Sequence, residues 1–302
     1  MDTDLIVLDE TGRHEDLREQ VGGILALVAP LVKPTTGLDL PGLVSFRIVP
    51  VETWQSEQAA ETARLLRAYR ELMPFWTRPG ITLLGTAMLR TFRRISADMG
   101  GVMVMGATQP GPGADDSQTL LVPEALEHTG VLSDPEYLTQ VIVHELVHHA
   151  QNRASQHRAD WAAHTPKALL RGNGVSFLEE GHARWADQVI TRDLFGAACD
   201  ADSAPKSQRY NEVAKRKEIT RLKPTVDPYK VGRTLVASAI DTVGTQELNA
   251  VWSNARLLPS KGEVADAVAA LAADEPTRRP KLWASRLGST TFTETGVRTF
   301  ID

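Results

Sequence analysis

The chain has 302 residues, 42% of them hydrophobic and 24% charged, enough for one large core or two closely packed lobes. A net charge of -5 and a pI near 5.9 give no overall electrostatic reason to expect nucleic acid or an anionic membrane as a partner. Cys199 is the single cysteine, which excludes an intramolecular disulfide and a cysteine-based metal site and fits a reducing compartment. The acidic start, Met1-Asp2-Thr3-Asp4, lacks the basic and apolar regions of a signal peptide. Residues 21–32 are apolar but broken by Gly22, Gly23 and Pro30, and too few to span a bilayer. A cytoplasmic protein is the expectation.

In chain order, residues 15–32 read as a helix, 43–51 as a strand and 52–76 as a long helix with Ala59, Ala63, Leu66 and Tyr69 at helical spacing. The helical period continues over 81–99 through Leu84, Met88, Phe92 and Ile95, and Gly100-Gly101 is expected to end it. The apolar run 102–105 suits a buried strand, and the Gly/Pro-rich stretch 106–113 a loop. Thr119-Leu120-Leu121-Val122 follows as a further strand. A helix then begins at Ser133-Asp134-Pro135-Glu136, either as a Ser-x-x-Glu capping box or as an Asp cap with Pro in the first turn, and runs to about Asn152. Residues 152–174 carry His157, His164, Arg153, Arg158, Lys167 and Arg171, and form either a polar surface excursion or a substrate-selecting rim. Between 206 and 223, seven Lys/Arg against two Glu suit a solvated helix face, and the chain beyond Tyr229 reads as mostly helical. No repeat or interdomain linker stands out.

The chemistry is concentrated in His144-Glu145-Leu146-Val147-His148. Two histidines four apart on a helix share a face, so both can reach one metal ion with Glu145 beside it as general base. Leu138, Ile142, Val143, Leu146, Val147 and Ala150 form the opposing apolar arc. His149 lies about 100° from His148, toward that arc, and is expected to be packed or to support a ligand. Six of the eight histidines fall between His144 and His182, a concentration that fits a metal site better than chance.

A catalytic zinc takes three protein ligands and leaves a fourth position for water. Phe177-Leu178-Glu179-Glu180-Gly181-His182-Ala183 opens a second helix, with Leu178, Trp185 and Val189 on one side and Glu180, Arg184 and Asp187 on the other. Glu180 faces away from the apolar stripe, with Glu179 as its competitor. His182 falls among the apolar positions.

His-Glu-x-x-His followed by Leu-x-Glu-Gly-x-Ala resembles the gluzincin metallopeptidases, especially their aminopeptidase branch. The resemblance implies Glu180 as third ligand and Asp187, the acid seven positions later, as a carboxylate orienting a ligand histidine. It implies a Tyr or His donor for the oxyanion, by position Tyr229 with Tyr210 behind it, a packed tyrosine being the other reading. It also implies that a strand ahead of the metal helix lines the cleft and pairs with extended substrate. Leu120, Leu121 and Val122 are the candidate, against a plain core strand. Thirty-one residues separate His148 from Glu180, and the exopeptidase motif is not evident, so aminopeptidase specificity does not carry over. Tyr229-Lys230-Val231-Gly232, residues 251–263 and Trp283-Ala284-Ser285-Arg286 resemble uncharacterised bacterial zincin-like metallopeptidases.

The expectation is therefore an α+β, zincin-like fold forming a single domain over 1–302. Its lobes would be 1–152, with a small mixed sheet and the metal helix, and a helical 153–302. The expected function is zinc-dependent hydrolysis of a peptide or protein substrate, with neither nucleic acid nor membrane as partner. A non-catalytic binding protein of the same fold, or a peptidase dedicated to one precursor peptide, stands as the alternative.

Overall fold

The computed structural model describes residues 3–72, 74–110, 116–155, 174–222, 224–273, 279–292 and 298–300. Most of the 152–174 excursion, with His157 and His164, lies outside the described residues. The fold is α+β, mostly helical around a small mixed sheet. Among the described residues, no helix is long and apolar enough to cross a membrane.

The chain opens with β1 (Asp4–Asp9), α1 (Glu15–Thr36), β2 (Leu43–Ile48), α2 (Val51–Leu72), α3 (Arg78–Val102), β3 (Ala107–Pro110) and β4 (Ser117–Leu121). The sheet order is β1-β2-β4-β3. β1, β2 and β4 run parallel, and β3 pairs antiparallel with β4 as an edge. α4 (Pro123–His128) and α5 (Pro135–Ala154) follow, α5 starting at Asp134, whose side chain accepts from Glu136 N at 2.8 Å. The Asp-cap start is thus the one used. The second half is α6 (Gly174–Phe195), α7 (Gln208–Ala214), α8 (Lys217–Leu222), α9 (Pro228–Val243), α10 (Thr245–Asn249), α11 (Lys261–Ala272) and α12 (Leu282–Gly288), then a two-stranded ribbon of β5 (Thr290–Phe292) and β6 (Arg298–Phe300).

The main core joins the apolar stripe of α1 (Val21, Leu25, Val28, Val32) to Val44, Phe46 and Ile48 of β2 and to the buried arc of α5. It continues through Leu178 and Ala183 of α6 into Leu235 and Val236 of α9, so the two motif helices lie in one packed body. α6 and α9 cross at backbone contact. A Cβ on Gly181 would lie 2.1 Å from the Gly232 carbonyl carbon, and one on Gly232 would lie 2.1 Å from Phe177 O. Only glycine fits at either point, which is the physical reason for the Gly after Glu180.

Several expectations change. β1 was not read as a strand; its alternation of exposed and half-buried positions marks an edge. Gly100-Gly101 does not end α3. Gly100 instead admits the Trp54 ring, which would stand 2.2 Å from an added Cβ. Residues 102–105 form no strand, and the strand lies within the expected loop, as β3. Its sequence, Ala-Thr-Gln-Pro, has little intrinsic strand signal and forms because β4 offers a free edge.

A candidate metal centre

α5 carries His144, Glu145 and His148 to the floor of a cavity of about 400 Å³. One wall is residues 103–108, leading from α3 into β3; α6 supplies Glu180 and Arg184, and α7 and α9 supply Tyr210 and Tyr229.

His144, His148 and Glu180 converge closely enough to share one metal ion. His144 Nε2 lies 3.2 Å from Glu180 Oε2 and 3.2 Å from His148 Nε2, and His148 Nε2 lies 3.6 Å from Glu180 Oε2. Ligands about 2.05 Å from a tetrahedral ion stand about 3.3 Å apart, so the donor set fits. Glu179, the competing carboxylate, is buried and belongs to no such group among the described residues.

The outer nitrogens of both histidines are fixed. Asp187, fully buried, faces His144 Nδ1 at 3.0 Å and accepts from Gln140 Nε2 at 3.1 Å. Gln151 Nε2 donates to the Glu179 carbonyl at 3.0 Å, which turns its Oε1 toward His148 Nδ1 at 2.8 Å. Each Nδ1 therefore donates outward, and neutral imidazoles present their Nε2 lone pairs to each other and to Glu180. Such an arrangement calls for a cation. Without a metal a proton takes that place: burial opposes the charge on His144, but the Asp187 and Glu180 carboxylates outweigh it and raise His144 to about 10. Burial likewise works against a charged Glu180, yet His144 and His148 hold its carboxyl well below the usual range.

Glu145 sits beside this group, 7% exposed, in a pocket the edge strand shapes. Thr108 Oγ1 donates to Glu145 Oε2 at 2.6 Å, and Thr119 Oγ1 lies 2.6 Å from Thr108 Oγ1. His149 Nε2 lies 2.8 Å from Thr119 Oγ1. A carboxylate only accepts, so the Thr108 proton goes to Glu145, the Thr119 proton to Thr108, and His149 Nε2-H to Thr119. Full burial lowers His149 to about 3 and keeps it neutral. Gly106 leaves room for the carboxylate: an added Cβ would fall 2.7 Å from Glu145 Cδ, Cγ and Oε1.

Tyr229, in the first turn of α9, tilts over His144 with ring centroids 5.7 Å apart. The Glu180 charge and then burial push its hydroxyl well above its usual value, so it stays a donor. The ring opens into the cavity, 39% exposed, with the Arg184 guanidinium 5.8 Å from its centroid. Arg184 is held by Asp202, by Asp200 at 3.6 Å and by Asp187 at 3.9 Å. His182 is fully buried against Trp185 and Trp252, as its place among apolar positions implied.

Leu120, Leu121 and Val122 do not line the cavity. They are 0–1% exposed, in or next to the inner strand β4, and their side chains complete the core. The cavity wall belongs to β3 and the residues before it. Thr108, Gly106, Gln140 and Gln151 were not singled out in the sequence; each is an ordinary residue whose role depends on distant neighbours.

No family model matches this chain, and no curated protein matches it. In fold it is similar to a crystal structure of a protein from Chloroflexus aurantiacus, described as having a novel fold and provisionally assigned as a hydrolase. The TM-score is 0.51 at 16% identity over 91% of each chain.

Proposed function

We propose that the protein is a zinc-dependent metallopeptidase of gluzincin type that hydrolyses peptide or amide bonds. The reading rests on one observation: three lone-pair donors, His144 Nε2, His148 Nε2 and Glu180, converge beside the Glu145 carboxylate in an open cavity. The hydrolase assignment of the Chloroflexus protein agrees with it.

His144, His148 and Glu180 would hold the ion, with Asp187 and Gln151 fixing the imidazoles. A bound zinc ion supplies positive charge that acidifies a water and polarises a carbonyl. Glu145 takes the proton from the attacking water and returns it to the leaving amine, held in place by Thr108. Tyr229 donates to the oxygen of the substrate carbonyl as charge develops there. Met103, Val104 and Met105 offer an apolar wall to a substrate side chain.

The test is cleavage mapping of an unbiased peptide library by mass spectrometry, comparing zinc-loaded protein with Glu145→Gln at equal metal content. Cuts made by the first and missing from the second support a peptidase. Zinc binding without any cuts moves the reading to a metal-holding binder or a peptidase dedicated to one partner.

A further inference from the structure

The hairpin formed by α2 and α3 combines exposed apolar side chains with arginines at one end. Its base is anchored: Trp54 packs with Val49, Leu120, Val122 and Ala125, and Ile95 and Val102 pack with Val213 and Ile219. Toward its far end the two helices pack on each other, with Leu66 against Gly85. The tip is apolar and open. Phe75, Trp76 and Leu83 are 74%, 69% and 75% exposed, and the Phe75 and Trp76 rings meet edge-on at 5.1 Å.

The hairpin's charges are sorted along its length. Of its acids, Glu52 and Asp98 lie at the base and Glu57 and Glu61 along the middle, leaving only Glu71 near the tip. Its basic residues are all arginines: Arg64, Arg67, Arg70, Arg78, Arg90, Arg93 and Arg94. Beyond the level of Glu61, between residues 62 and 89, four arginines (Arg64, Arg67, Arg70 and Arg78) stand against one acid, in a chain of net charge -5. The whole-chain charge averages this segment away.

We propose that the hairpin tip docks on an anionic lipid bilayer, with Phe75, Trp76 and Leu83 entering the headgroup region and the arginines behind them engaging lipid phosphates. Exposed aromatic and aliphatic side chains at one end, backed by basic residues, match the layered chemistry of a membrane interface. Arginine binds phosphate in a bidentate manner and can extend its stem along apolar surface. The alternatives fit less well. A nucleic-acid surface would interleave its bases with stacking side chains, and Leu83 offers none. A second copy would bring two arginine-rich hairpins together and repel.

α3 runs on at its base into residues 103–108 of the cavity wall. Its 25 residues span about 37 Å at 1.5 Å per residue, so the tip docks the protein and does not feed the cavity.

The experiment is co-sedimentation of the full-length protein with phosphatidylcholine vesicles and with vesicles containing phosphatidylserine, at low and high salt. Binding is expected on the anionic vesicles alone, weakening with salt. Phe75→Ser with Trp76→Ser should abolish it while the melting temperature stays put, since both side chains are exposed. Arg67→Gln with Arg70→Gln should weaken it roughly 20- to 30-fold, from about fivefold per basic residue at an anionic surface. Absence of binding, equal binding to neutral vesicles, or binding that survives the Phe75/Trp76 change would overturn the proposal. So would displacement from the vesicles by duplex DNA, or a dimer in sedimentation velocity that the same change dissolves. Glu145→Gln should bind as the unaltered protein does, so the result is independent of the peptidase reading.

Discussion

Thr108 Oγ1 donates to Glu145 Oε2 at 2.6 Å, tying the sheet's edge strand to the carboxylate that α5 presents to the cavity. This hydroxyl is the last link of a one-way chain from His149 through Thr119, so the carboxylate is aimed by buried groups behind the cavity wall. Thr108→Val removes a hydrogen bond to a charged group, about 1.5–3 kcal/mol of interaction. We expect kcat on a cleaved peptide to fall about 10- to 100-fold with zinc content unchanged. Unchanged kcat would mean the chain does not position Glu145.

Gly106→Ala should separate chemistry from stability. The three atoms nearest the added Cβ all belong to the Glu145 side chain and none to backbone, so the clash falls on the carboxylate and displaces it. Expected are a melting temperature within a few degrees of the original, full metal binding and loss of turnover. Retained turnover would show that Glu145 tolerates the displacement.

Asp187→Asn and Gln151→Leu each disturb the group that orients one ligand histidine. Losses of about 10- to 100-fold in zinc affinity are expected from such supporting partners, measured by competition with a chromophoric chelator. Equal affinity in both variants would remove the orienting role.

Gly232→Ala tests the crossing of α6 and α9. Alanine in a helix interior ordinarily stabilises by up to about 1 kcal/mol over glycine. Here the Cβ would meet the Phe177 carbonyl at 2.1 Å, so the sign reverses and destabilisation of at least about 1–3 kcal/mol is expected. Denaturant unfolding measures it, and zinc affinity should fall with it because Glu180 adjoins the crossing.

A pH effect is expected away from the site, at Glu263. Burial acts to raise its carboxyl, but Arg286 at 2.6 Å and the Ser260 backbone N-H outweigh this and lower it below 4.5. A depressed carboxyl contributes stability that is present above its unfolded value and lost as pH falls through the folded one. Melting temperature should therefore drop on acidification below about 4.5, and the drop should shrink in Glu263→Gln. An identical acid profile in the two proteins would exclude this contribution.

The sequence by itself determined the local features. The i, i+4 histidines, a helix start at 133–136, the buried arc of α5 and the shared face of Glu180 and Asp187, away from the apolar stripe, all follow from helix periodicity and capping chemistry, which depend on neighbours a few residues away. Tertiary structure decided the rest, because those contacts join residues far apart in the chain. Thr108 meets Glu145 across 37 positions and Gln151 meets Glu179 across 28. β3 exists through its pairing with β4, and Leu120 and Leu121 became core because that pairing placed their strand inside the sheet. Gly100 and Gly181 show the same division: the sequence marks a glycine, and only the packed helices reveal that Trp54 and Gly232 require the missing side chain.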